Sequence, residues 1–232
     1  MDKQAFRSGL KSAIPTGMGY LGIGLALGII ATTEGMSPFL VLWSSLVIYA
    51  GAGQFALVSL LATGASLQAI GMTIFLINLR HFLMGLHTAT LFPSMSPAQT
   101  IGVSSLLTDE TYGVMLGQDI RDDGLSPDWM LGNNILSYTV WVGATFLGAL
   151  LGERVPDPYR LGLDYALLAM FIGIFSSQFR ALEKIDGLGN SLKILGVVGL
   201  AFLVGVLVLP KSLAVLVATL LGCAVGVYLD EK

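Results

Sequence analysis

Residues 74–87 read IFLINLRHFLMGLH, and they place Asn78, Arg80 and His81 inside an apolar run that begins near Ser66 and ends near Gly85. A guanidinium does not deprotonate in a protein, so Arg80 must be paired or wetted wherever it sits. The next apolar segment carries Ser104, Ser105, Thr108, Asp109, Glu110, Thr111 and Tyr112. Two acids so close to one embedded cation describe a polar pathway. Arg80 can pair with Asp109 or Glu110, or meet a ligand carboxylate through its planar fork. An unperturbed imidazole changes charge near neutral pH, which makes His81 a candidate proton carrier. At helical spacing Asn78, His81 and Gly85 share one face, while Arg80, Met84 and His87 share another. Ser105, Thr108, Asp109 and Tyr112 fall at i, i+3, i+4 and i+7, which reads as a polar stripe on one helix. In Asn134, Tyr138 and Trp141 a weaker stripe recurs, read as packing with satisfied polar tips.

The elements that position these residues follow from composition. The chain has 232 residues, of which 54% are hydrophobic and only 12% charged, with a mean hydropathy of +0.79. A soluble domain carries about 25% charged residues, so this chain lacks the polar exterior that water demands. Its formal net charge of −3 offers no basic surface for nucleic acid. The single Cys223 excludes a disulfide framework and a cysteine metal cluster, and no cofactor or metal site is read.

Apolar segments of about bilayer length run over 13–33, 38–62, 66–87, 97–117, 129–151, 164–180, 193–209 and 213–229. Lipid offers no partner to an open backbone group, so all of them are expected to be helical. The expected fold is therefore all-α: a polytopic membrane bundle of about eight helices, some broken at mid-membrane, forming one domain over residues 1–232. Lys3, Arg7, Lys11, Arg121, Arg180, Lys184, Lys193 and Lys232 fall on one side. Arg154, Arg160 and Lys211 fall on the other. By the positive-inside rule both termini are cytoplasmic.

Glycines mark two of the segments. In the first, Gly24 and Gly28 form a small-xxx-small pair that suits close helix packing. In the second, Tyr49-Ala-Gly-Ala-Gly-Gln54 reads as a helix break that opens backbone groups to a ligand at mid-depth. Residues 22–28, GIGLALG, follow no strand and are not a dinucleotide fingerprint.

Five pieces together carry a family resemblance. They are Ala13-Ile-Pro15 leading to Gly19-Tyr20-Leu-Gly-Ile-Gly24; Tyr49-Ala-Gly-Ala-Gly-Gln-Phe55; Asn78-Leu-Arg-His-Phe82 followed by Gly85; Leu107-Thr-Asp-Glu110; and Leu163-Asp-Tyr-Ala166. In order and spacing the chain resembles the AzlC-like family, the large subunit of branched-chain amino acid exporters. The resemblance implies a secondary transporter in the bacterial inner membrane that exports leucine, isoleucine, valine or methionine, driven by protons. It also implies a small hydrophobic AzlD-like partner. No G-x-x-x-x-G-K-[ST] is present, so ATP would need another subunit. The candidate substrate-binding residues are Tyr20, Tyr49, Gly51, Gly53, Gln54, Asn78 and Arg80. His81, Asp109 and Glu110 are the candidates for proton coupling or ion pairing.

Rival classes are a channel, a non-transporting scaffold and an intramembrane protease. A metalloprotease needs H-E-x-x-H, and His81 is followed by Phe82-Leu-Met-Gly. An aspartyl mechanism would have to pair Asp109 with Asp164, which suits a helix cap instead.

Overall fold

A computed structural model describes residues 1–93, 95–121, 125–152, 154, 155, 160, 162–209 and 211–230; for 119–121, 164, 166, 167, 170, 171, 174, 177, 178, 181, 182, 184–186, 211, 212, 216 and 230 it describes the backbone alone. The chain is an all-α membrane protein, and the described residues hold helices and turns with no strand. Two units divide it, Met1–Ile172 and Gly173–Lys232. Every candidate site residue lies in the first.

Helix α1, Lys3–Ser12, precedes the first apolar run. Asp2 caps it, accepting from the amides of Gln4 and Ala5 at 2.8 and 3.3 Å. The long helices α2, Ile14–Thr33, and α8, Pro127–Gly152, form the spine of the unit. They approach with almost no side chain between them. A Cβ at Gly28 would collide with the Thr145 carbonyl, and one at Gly148 would collide with that of Leu25. The Gly24–Gly28 pair is therefore a packing device, and α2 runs unbroken past it. The same logic seats α1 on α8, where Gly9 faces Trp129 and Gly132 faces Phe6.

The second apolar segment is two helices. α3, Pro38–Val47, and α4, Gly51–Ala62, are separated by Ile48, Tyr49 and Ala50. Tyr49 has φ +40°, the only positive φ outside glycine among the described residues. A left-handed conformation at a bulky residue costs on the order of 1–3 kcal/mol, so its surroundings must hold it there. Helix α5, Leu67–Leu91, is continuous. At 1.5 Å per residue its 25 residues extend about 37 Å, and Arg80 lies one residue past its midpoint.

The fourth apolar segment is also broken, which corrects the reading of residues 105–112 as one helical stripe. α6, Pro97–Ser104, ends before Ser105, and α7, Asp109–Arg121, starts afresh. The cause is local. Thr108 accepts from the Thr111 amide at 3.3 Å, while the Thr108 amide donates to the Thr111 hydroxyl at 2.9 Å. This reciprocal pair has the form of a capping box with threonine in the third position. Asp109 and Glu110 then occupy the first turn, where negative charge meets the positive helix end.

After a 3-10 turn at Leu163–Tyr165, α9 spans Ala166–Val208 and changes direction at Gly187, whose φ of 78° and ψ of 155° are not helical. In the second unit α10, Lys211–Asp230, packs on Gly187–Val208 through Ala214 against Gly205 and Gly222 against Val198. Among the described residues Ile14–Thr33, Leu67–Leu91, Pro127–Gly152 and Gly187–Val208 are each long and apolar enough to cross a bilayer. The side chains of Asp164, Arg121, Lys184, Lys211 and Lys232, used above for capping and orientation, lie outside the described residues.

Candidate functional site

The two breaks meet over the centre of α5. Here Arg80 forms an ion pair with Asp109, Nη2 to Oδ2 at 2.9 Å. Of the alternatives open to Arg80, the structure realises this one. The side chains are 33% and 15% exposed respectively, so the pair borders a solvated space and is not sealed from it.

Glu110 turns elsewhere. Its Oε2 accepts from the Tyr20 hydroxyl at 2.7 Å, and the Tyr20 oxygen shares a 2.6 Å bond with the Thr108 hydroxyl. Tyr20 is held edge-on against Trp141, with ring centroids 5.0 Å apart. Adjacent acids thus have unlike partners: a guanidinium for Asp109 and a neutral hydroxyl for Glu110. Tyr20, Tyr49, Gly51, Ala52, Arg80, His81, Thr108, Asp109, Glu110 and Trp141 enclose a cavity of about 10 Å³. That is room for one water molecule.

A much larger chamber of about 470 Å³, open-sided where Phe82, Leu86 and Ile101 are exposed, adjoins it, sharing Tyr49 and His81 as wall. Asn78, Gly85, Ser104, Ser105, Ile48, Phe82, Leu86, Ile101 and Leu107 contribute to its lining, which is mostly apolar. Four buried polar atoms in that wall make no hydrogen bond within the protein: the Tyr49 hydroxyl, Asn78 Oδ1, His81 Nδ1 and Ser104 Oγ. A polar atom buried without a partner costs about 1–3 kcal/mol, so four such atoms on residues around one space leave polar groups there in need of bonds.

The glycines of the first break have separate tasks. Gly51 lines the small cavity. Gly53 makes room for Asn78, whose amide atoms would lie 3.1 and 3.2 Å from an added Cβ. Gln54 is engaged on every side. It donates to Ser44 at 3.0 Å and Ser45 at 2.8 Å, and accepts from the Trp141 indole at 2.7 Å. Its amide splices the broken span and does not face a cavity. By contrast α4 begins without any side-chain cap: Ala50 stands at the N-cap and offers no acceptor. The first amides of a helix have no intrahelical partner, and Gly51 and Ala52 both border the small cavity.

Helix α8 holds both breaks in place. Tyr138 donates to the Leu46 carbonyl at the end of α3, and Asn134 donates to the Val103 carbonyl at the end of α6, each at 2.9 Å. The Leu46 carbonyl lies in the last turn, where a helix leaves its carbonyls without an intrahelical partner, and the Val103 carbonyl also accepts from the Leu106 amide at 3.3 Å. The Tyr49 and Tyr138 rings pack edge-to-face at 4.8 Å, which helps to pin the strained residue. Of the stripe read as packing with satisfied tips, the Tyr138 hydroxyl, the Trp141 indole and the Asn134 amide nitrogen are satisfied, while Asn134 Oδ1 is buried without a hydrogen bond. Sequence reasoning did not assign Thr108, Ser104, Trp141 or Tyr138 to the site. The one available signal was Thr108-x-x-Thr111 with acids between, a helix start inside an apparent span.

Among the described residues no three His, Cys, Asp or Glu side chains gather as a metal site.

The family described as AzlC protein matches residues 15–155, which contain every residue named above at the two cavities. The chain is 29% identical over 185 residues to inner membrane protein YgaZ of Escherichia coli, covering 78% of this chain and 76% of that one. With an uncharacterized membrane protein of Archaeoglobus fulgidus it shares 34% identity over 171 residues, 72% and 73% of the two chains. With a protein of Bacillus subtilis named branched-chain amino acid transport protein AzlC it shares 26% over 192 residues, 81% and 74%. No solved structure matches.

Proposed function

From the premise that the chain belongs to the AzlC family, we propose that it is the large subunit of a two-component secondary transporter that exports branched-chain amino acids across the bacterial inner membrane, coupled to protons. The observation that carries this reading is the chamber. Its volume of about 470 Å³ lies in the range of small-molecule sites, roughly 300–1,000 Å³. Apolar walls suit a branched aliphatic side chain. The unpartnered groups of Tyr49, Asn78, His81 and Ser104 suit the polar end of an amino acid. Broken helices beside a mid-depth site are the arrangement by which transporters reach substrate with backbone as well as side chains. Tyr20, Gly51 and Arg80 border the adjoining cavity and act on the chamber through Tyr49 and His81.

In this reading the protein binds and moves its substrate without chemical change. Both termini face the cytoplasm, and a small hydrophobic AzlD-like subunit completes the transporter. The relative in B. subtilis is named for branched-chain amino acid transport, which supports the substrate class.

The test is export. Cells co-expressing the chain with the small hydrophobic protein encoded beside it are loaded with leucine, isoleucine, valine or methionine, and efflux is followed with and without a protonophore. Faster efflux of these amino acids, abolished by the protonophore, is the expected result. Efflux equal to that of cells lacking the chain would sink the reading. An electrical current that ignores the proton gradient would transfer it to the channel class.

A further inference from the structure

Asp109 and Glu110 are sequence neighbours at the start of one helix, yet a proton on Asp109 would break an ion pair and a proton on Glu110 would not. If Asp109 took up a proton, Arg80 would lose the carboxylate 2.9 Å away and remain cationic. Glu110 has no cation within ion-pair distance among the described residues. It meets a hydroxyl, and that hydroxyl meets another.

Such a chain can run in either direction. With Glu110 ionised, Thr108 donates to Tyr20 and Tyr20 donates to the carboxylate. With Glu110 protonated, the acid donates to the Tyr20 oxygen, and the Tyr20 proton turns to Thr108. Either atom of the 2.6 Å Tyr20–Thr108 contact can be the donor, so no bond is lost on reversal. Thr108 in turn has the Thr111 hydroxyl at 3.3 Å, again with either as donor. Hydroxyls rotate to suit their neighbours, which makes this reversal cheap. The groups facing Glu110 across the small cavity are Tyr20 from α2, Tyr49 from the first break, Arg80 and His81 from α5, and Asp109 from α7 itself. That cavity has room for one water to deliver or remove a proton.

We propose that Glu110 carries the coupled proton, with Tyr20 and Thr108 as a reversible hydrogen-bond switch, while Asp109 serves as the ion-pair partner of Arg80. One proton adds to a Glu110 carboxylate oxygen from the proton-rich side and leaves on the other. Only an O–H bond forms and breaks. The small cavity is then a proton site, distinct from the substrate chamber, and the shared wall of Tyr49 and His81 couples the two. This deepens the proton-coupled export reading and rests on it.

The experiment compares two rates in proteoliposomes holding the chain and its small subunit. One is net leucine efflux driven by an imposed pH gradient. The other is exchange of labelled for unlabelled leucine at equal pH on both sides. Glu110→Gln is expected to lower the ratio of driven efflux to exchange by about 20-fold or more, and Glu110→Asp to restore most of it. Asp109→Asn is expected to lower both rates together, leaving the ratio within about threefold. A wild-type ratio in Glu110→Gln would overturn the assignment, as would an equal collapse of the ratio in Asp109→Asn. Should Glu110→Gln fail to accumulate, Tyr20→Phe decides: it keeps the ring on Trp141 and removes only the switch hydroxyl. Its driven efflux should shift in pH midpoint by about one unit, and an unmoved midpoint overturns the proposal. If wild-type protein exchanges no leucine, it is the export reading that fails, and this one with it.

Discussion

The molecule contains two helix breaks, at Ile48–Ala50 and at Ser105–Thr108, and they are built in opposite ways. The second is closed by its own side chains. Thr108 and Thr111 cap each other's backbone, and two acids sit in the first turn of α7. The first is left open. Ala50 provides no cap for α4, and Tyr49 adopts a left-handed conformation with its hydroxyl unpartnered. A helix start whose donors are satisfied can present side-chain charge, because its backbone needs nothing more. One whose donors are free presents the backbone itself. The same device therefore yields an acid-bearing edge on one side of the cavity and a donor-bearing edge on the other.

The contrast can be broken at four points, in order of expected effect. Arg80→Ala leaves Asp109 without its cation. Breaking such a pair costs up to about 3 kcal/mol, discounted here because Arg80 is a third exposed, and export should fall by about 100-fold or more. Arg80→Lys, lacking the planar fork, should also impair export, and wild-type efflux from it would show that a point charge suffices. Next is Ala50→Ser, which gives the open break a cap like that of the closed one. It should lower leucine export about tenfold while raising the thermal midpoint in detergent by the worth of a cap, ~1 kcal/mol. Export at the wild-type level would show that the free donors of α4 serve no ligand. Thr108→Val uncaps the closed break and removes a bond to Tyr20. A loss of about 1–2 kcal/mol should appear as a thermal midpoint lower by several degrees. The smallest effect belongs to Gly53→Ala, where Asn78 must give by a few tenths of an ångström. A rise of about threefold in the leucine concentration for half-maximal efflux, ~0.7 kcal/mol, is expected.

Much of this was legible in the sequence, for physical reasons. Composition alone demands a membrane, and hydrocarbon then demands helices. The Tyr49–Gln54 segment announced a break because glycines flanked by Tyr and Gln suit no ordinary span, though the break itself is Ile48–Ala50 and Gly51–Gln54 are already the start of α4. The Arg80–Asp109 pair was among few choices, since so rare a cation must be near an acid. The second break was hidden because Ser105, Thr108, Asp109 and Tyr112 happen to keep helical period across it. Their period described a helix that the threonine caps interrupt. The choice of Tyr20 for Glu110 was beyond reach. It joins residues 90 apart in sequence and depends on how closely Gly28 and Gly148 let α2 approach α8. Gln54 illustrates the converse. A polar residue beside a break invites assignment to a ligand, but Ser44, Ser45 and Trp141 absorb its whole amide.

Tyr138 and Asn134 lie one helical turn apart on α8, and each holds a carbonyl near the end of a different broken span. The two half-helices thus share one axle. A single helix face ties together the two edges of the chamber. Displacing either half-helix from α8 would therefore disturb a contact made by the same turn that holds the other.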